Sequence, residues 1–178
     1  MVPTVTKVAE DKVSIFVLPK YVNNTNHLFS VDNEFNGVIV DGEFSGEQFL
    51  KGRGAGGHPT GAAVLSDISA LSYGYKYEYK KQKQNPNIKF TNDVILKVYL
   101  RYHNDEDLKQ LNFESIAEQY TGGEYHYVVG LIKLQNLISN KDYILKNKLF
   151  VAAIGDEVKL VSENLKKESN LVKEKAFA

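Results

Sequence analysis

Gly52-Arg53-Gly54-Ala55-Gly56-Gly57-His58-Pro59-Thr60 is the stretch on which the fold of this chain of 178 residues turns. Its first six residues spell G-x-G-x-x-G, follow a strand-like run (Glu47–Lys51) and open a helix. Pro59 suits the first helical turn, where its missing N–H costs nothing. Val64, Leu65, Ile68 and Leu71 then mark one helical face, up to a stop before Gly74. Read literally this is the dinucleotide fingerprint, and Glu78 even stands about 20 residues further on, where an acidic residue belongs. A parallel β-α-β crossover is required for that reading. Here the strand before the glycines belongs to a hairpin, in which Phe35–Val40 and Glu47–Lys51 flank Asp41-Gly42-Glu43-Phe44-Ser45-Gly46, with Asp-Gly placed to supply the positive φ of the turn. Glu78 lies in a Tyr- and Lys-rich polar segment rather than at the end of an apolar strand. The local chemistry survives: glycines let backbone N–H groups come close to a flat or charged ligand, and a helix start adds unpaired donors and partial positive charge. A tight strand-to-helix turn that binds nothing needs fewer than four glycines in six residues, but composition alone leaves both readings open.

Working outward, residues 1–22 read as two strands around Ala9-Glu10-Asp11-Lys12, the second stopping at Pro19. Asn23-Asn24-Thr25-Asn26 is loop chemistry. Four strands with short connections predict an antiparallel sheet with one packing helix over residues 1–72. From Tyr73 the composition shifts: Tyr73, Tyr75, Tyr77 and Tyr79 alternate with Gly and charged residues, and a polar run follows. Residues 73–91 are therefore assigned to a linker or edge segment. The remainder, 92–178, reads β-α-β-α-β, with strands at Val94–Tyr102, Tyr125–Leu131 and Phe150–Ile154. A helix with an acidic first turn is expected over Asp105–Gln119, a short one at Asn140–Lys146, and a charged tail from Asp156. The fold class is α+β, with helices on one face of the second sheet.

Lys+Arg and Asp+Glu both number 22, so no net field favours nucleic acid or an anionic membrane. No cysteine is present, which removes disulfides, thiolate metal sites and cysteine nucleophiles. No apolar run reaches the roughly 18 residues of a membrane span, and the first residues lack a signal-peptide pattern. A cytoplasmic protein is expected.

Three separated blocks share one register with a known family. His27-Leu28-Phe29-Ser30-Val31, Glu34-Phe35-Asn36-Gly37-Val38, and the run from Gly52 through Pro59 and Thr60 to Asp67-Ile68 resemble homoserine dehydrogenase in order and spacing. The resemblance covers about residues 5–71. It implies NAD(P)-dependent interconversion of L-homoserine and L-aspartate 4-semialdehyde, in threonine and methionine biosynthesis. It also implies that the glycine run closes over the cofactor, with Gly56 as the leading contact, then Gly54 and Gly57, and Thr60 on the first helical turn. The family's nucleotide-binding domain, catalytic lysine and substrate-holding acids lie before the first strands seen here. No catalytic residue is therefore assigned, and NAD(P) binding is expected only together with the amino-terminal half, the selector between NAD and NADP lying there as well. Residues 92–178 are similar to the regulatory ACT domain, although Tyr102-His103-Asn104-Asp105-Glu106-Asp107 stands where that domain carries Asp-x-Pro-Gly. Threonine binding is accordingly not expected, and the module is expected to pack or to form a homodimer.

Other constellations weigh less. His27, His58, His103 and His126 have no metal-ligand spacing. Arg53 fits a surface salt bridge better than a cofactor phosphate, and Asp67 a solvated helix position. Lys76, Lys80, Lys81 and Lys83 beside the tyrosine alternation suggest a base-stacking platform, but the neutral charge favours an edge strand. Lys166, Lys167, Lys173 and Lys175 interleave with Glu163, Glu168 and Glu174 as on a solvated helix. Two hypotheses stand: the later part of homoserine dehydrogenase, inactive alone, and a stand-alone non-catalytic regulatory or binding module.

Overall fold

The computed structural model describes residues 1–75 and 87–161. Its elements begin with β1 (Val2–Ala9), β2 (Lys12–Leu18), β3 (Lys20–Tyr21), a 3-10 turn at His27–Ser30, β4 (Phe35–Gly42), β5 (Gly46–Arg53) and α1 (Gly57–Ser72). After the gap come β6 (Lys89–Phe90), β7 (Val94–Tyr102), α2 (Asp105–Leu111), β8 (Ser115–Thr121), β9 (His126–Lys133), α3 (Leu134–Ser139), α4 (Lys141–Lys146) and β10 (Phe150–Leu160). No described helix is long and apolar enough to cross a membrane.

The chain forms two compact units, one of Met1–Tyr21 with Asn87–Ala178 and one of Val22–Pro86. This differs from the division at 72 and 92 expected from composition. In the first unit β1 and β2 pair as an antiparallel hairpin, with β6 parallel to β2. Pro19 has no N–H for the ladder, so β2 ends there. Its carbonyl accepts the Ala153 N–H at 2.8 Å, and β3 crosses to a second sheet beside β10. That five-stranded sheet runs β3-β10-β7-β9-β8. Val8, Ala9, Phe16 and Leu18 of the hairpin pack on the core of the carboxy-terminal sheet, so residues 1–21 join it rather than the glycine loop.

Side chains alternate across a strand, and on β7 the even positions Val94, Leu96, Val98, Leu100 and Tyr102 are all buried in the core. Val128 and Ile132 of β9, Leu111 of α2 and Leu134 and Leu137 of α3 close it. The opposite face carries an aromatic row. Tyr21 meets Tyr99 at 5.4 Å between ring centroids, Tyr99 meets Tyr127 at 5.2 Å, and Tyr127 meets Tyr120 at 5.2 Å.

The order of this module is β7-α2-β8-β9-α3-α4-β10, a split β-α-β arrangement, not β-α-β-α-β. The helix expected to Gln119 ends at Leu111, because Asn112 takes the left-handed conformation (φ 51°) as C-cap and its N–H bonds Leu108 O at 3.1 Å. Residues 115–121 then turn into β8. Strand β10 extends past Ile154 to Leu160 by a bulge between Ala153 and Val158, where Gly155 has φ +73°. The expected tail beyond Val161 lies outside the described residues, as do the lysines and glutamates placed on it.

In the second unit β4 and β5 form a two-stranded ladder from Phe35–Arg53 to Gly42–Gly46. The positive φ of its turn falls at Gly46 (φ +66°), not at the Asp41-Gly42 pair. The predicted single sheet of four strands does not form: β1–β2 and β4–β5 are separate ladders. Nor does α1 pack as expected. None of its residues is buried, with Val64, Leu65, Ile68 and Leu71 all more than half exposed. Glu78, Tyr77, Tyr79 and the lysines from Lys76 to Lys83 lie outside the described residues.

Candidate functional site

Strand β5 delivers the chain to the glycine loop, and the glycines differ in why they are glycines. Gly54 is tied to β4: its N–H bonds Glu34 O at 2.7 Å, and a Cβ built on it would fall 2.5 Å from Asn36 Cγ and closer still to Nδ2. Gly56 is the N-cap of α1 with φ 111°, a conformation that side chains disfavour. Gly57 and Gly52 face open space, with no atom within 4 Å of a built Cβ.

Thr60 turns inward. Its N–H and its hydroxyl both donate to Gly56 O, at 3.2 and 2.8 Å, which locks the first turn of α1 onto its cap. Pro59 follows without an N–H. The N–H groups of Ala55, Gly56, Gly57 and His58 therefore have no acceptor among the described residues. They form an exposed row of donors at the positive end of a helix dipole. Such a row suits an anionic or carbonyl-bearing ligand approaching on the open side of Gly57.

The neighbouring cations are held elsewhere. Arg53 Nε stands 3.7 Å from Glu34 Oε1, with its guanidinium 5.6 Å from the centre of the Phe35 ring. Lys51 Nζ lies 5.0 Å from the same ring and donates to Ser30 O at 2.6 Å. His58 and Asp67 are exposed on α1. His27 stacks on Phe49 at 5.0 Å, with Nε2 3.5 Å from Glu47. Among the described residues no three of His, Cys, Asp and Glu come together as a metal site.

Of the four residues that the resemblance points to, then, Gly56 and Gly57 expose donors, whereas Gly54 and Thr60 are engaged within the loop. Sequence reading missed Asn36 and Glu34. Their contact with Gly54 follows only from the β4–β5 register, which sets Asn36 opposite Gly52 and Phe35 opposite Arg53.

Residues 2–69 match the homoserine dehydrogenase family model. Homoserine dehydrogenase of Bacillus subtilis is 32% identical over 97 residues, covering 52% of this chain and 22% of that protein. The Helicobacter pylori protein of the same name is 39% identical over 68 residues, 38% of this chain and 16% of that protein. The chain thus spans about a fifth of the length of these relatives. In structure it is similar to a homoserine dehydrogenase from Thiobacillus denitrificans, with a TM-score of 0.57, 17% identity and coverage of 86% of this chain and 43% of that one. This last likeness concerns the fold, mixed α+β, while the family-model match concerns residues 2–69, the strands up to the glycine loop and the helix after it. Over residues 2–69 the chain is thus similar in sequence to a segment of homoserine dehydrogenase.

Proposed function

We propose that this chain supplies the lid of a homoserine dehydrogenase cofactor site. The observation that carries this reading is the exposed row of N–H groups from Ala55 to His58, set in the segment that matches the family. The reaction is the NAD(P)-dependent interconversion of L-homoserine and L-aspartate 4-semialdehyde, on the route to threonine and methionine. The nicotinamide cofactor supplies the hydride chemistry when bound. Gly56 and Gly57 present their N–H groups to it, while Gly54 and Thr60 keep the loop in place. Residues that hold the substrate and move its proton belong to the amino-terminal half of the enzyme, and the uncovered apolar face of α1 is where that half docks. The 178 residues act in the cytoplasm, as part of a homodimer.

The carboxy-terminal module is ACT-like in this reading and does not take threonine. Where that domain has its Pro-Gly turn, Asp107 here spends its carboxylate on the N–H groups of His103 and Asn104 and on Tyr143. Calorimetry with threonine should give no micromolar binding.

The deciding experiment mixes the purified chain with the amino-terminal half of a homoserine dehydrogenase. The chain alone should not reduce NAD(P) with homoserine, and the mixture should. A second reading, a non-catalytic regulatory or dimerisation module, draws on the fact that every buried described residue belongs to the unit without the glycine loop. A mixture that stays inactive would favour it.

A further inference from the structure

We propose that Asn36 is the positioning residue of the glycine loop, and that Gly54 is a glycine on account of Asn36 and not of a ligand. This rests on the cofactor reading above and deepens it. Three consecutive residues, Glu34 and the first two of β4, hold the exit of β5. Glu34 O takes the Gly54 N–H at 2.7 Å, the Phe35 ring lies under the Arg53 guanidinium, and the Asn36 amide fills the space beside the Gly54 α-carbon. The first contact is backbone to backbone and survives any side chain at 34. The second engages Arg53, the last residue of β5, which precedes the loop's donors. Only the Asn36 contact is specific to a side chain and also touches the loop path itself. It occupies the space that a Cβ at 54 would take, so a side chain there must displace the Asn36 amide, whereas Gly52, directly opposite Asn36 in the ladder, and Gly57 have room for one. The glycines of the run therefore divide. Gly54 closes against its own chain, and the loop pivots from that fixed point into the donors at 55–58. Holding donors in place before the ligand arrives lowers the ordering cost of binding.

The test has two arms. In the 178-residue chain, NMR should show cross-peaks between the Asn36 side-chain amide protons and the Gly54 α-protons. Their absence overturns the proposal, whatever the chain does in an assay. In the mixture with the amino-terminal half, Asn36→Ala and Gly54→Ala should each raise the cofactor KM about tenfold while kcat stays within about twofold, because ground-state and transition-state binding fall together. The double variant should be no worse than either single one, since Ala at 54 displaces the same amide that Asn36→Ala removes, and independent positions would instead multiply to about a hundredfold. Asn36→Asp, which keeps the shape, should hold KM within about threefold of the parent chain. Multiplying effects, or an Asn36→Asp variant worse than Asn36→Ala, would make Asn36 a direct ligand contact and overturn the brace. A parent mixture with no activity refutes the cofactor reading but leaves the NMR arm to decide the contact.

Discussion

Asp107 is a carboxylate with 3% of its surface exposed, and it survives burial because each oxygen is occupied. Oδ2 accepts the N–H groups of His103 at 3.2 Å and Asn104 at 3.1 Å, and Oδ1 accepts the Tyr143 hydroxyl at 2.7 Å. One side chain thus closes the β7–α2 turn, starts α2 and ties it to α4. Truncating it leaves three donors without their acceptor, so Asp107→Ala should lower stability by about 3 kcal/mol, read from urea unfolding. The same bond gives a pH signature. The hydrogen bond to Asp107, then burial and the carboxylate's charge, raise the Tyr143 pKa above the ordinary 10.0. A group whose folded pKa is raised contributes stability that is complete below its unfolded pKa and is lost as pH climbs through the folded one. Tyr143 should therefore titrate above pH 10 by NMR in the parent chain and near 10 in Asp107→Ala. A Tyr143 titration unmoved by the substitution would refute the assignment.

Elements were legible in the sequence where a single period ruled. The alternation in Val94–Tyr102 gives β7 residue for residue, and the hairpin of β4 and β5 follows from its two apolar runs. They were not legible where the ending of an element depends on one backbone angle. Asn112 at φ 51° stops α2 eight residues before the pattern of Asp105–Gln119 would, and frees Ser115–Thr121 to become β8. The glycine loop was half legible: its spacing marks a place of close backbone approach, but which glycine faces open space and which lies against Asn36 depends on a cross-strand neighbour 18 positions away. Helix α1 shows the same limit from the other side. Its apolar positions are correctly placed on the sequence, yet nothing among the described residues buries them. A helix that is amphipathic in sequence and bare in the chain should be silent in the chain and sensitive in the assembly. Ile68→Asp should leave the thermal midpoint of the purified chain within about 2 °C, the range of ordinary surface substitutions, and should abolish activity in the mixture with the amino-terminal half. Retained activity would place the partner elsewhere.

At the scale of the whole molecule, the buried residues decide which parts stand together. Val94 to Leu160 supply the core, Ser14 is buried in β2, and no described residue between 22 and 75 is buried at all. The first 21 residues and the carboxy-terminal module therefore form one folding unit, although they are separated in sequence by the segment with the glycine loop. Two deletions distinguish this from a division at residue 92. Replacing residues 22–86 with a short Gly-Ser linker between Tyr21 and Asn87 should leave a cooperative transition with its midpoint shifted by only a few degrees, since no core contact is removed. Deleting residues 1–21 instead strips Val8, Ala9, Phe16 and Leu18 from the core and removes β3 from the edge of β10. At roughly 25 cal/mol per Å² of apolar surface, the loss of that cover is on the order of 3 kcal/mol, a fall in midpoint of about 10–20 °C for a domain of this size. Calorimetry on the two shortened chains checks both. If the chain without residues 1–21 melts like the parent while the chain without residues 22–86 fails to fold, the hairpin belongs energetically with the glycine-loop segment, as chain order alone suggests.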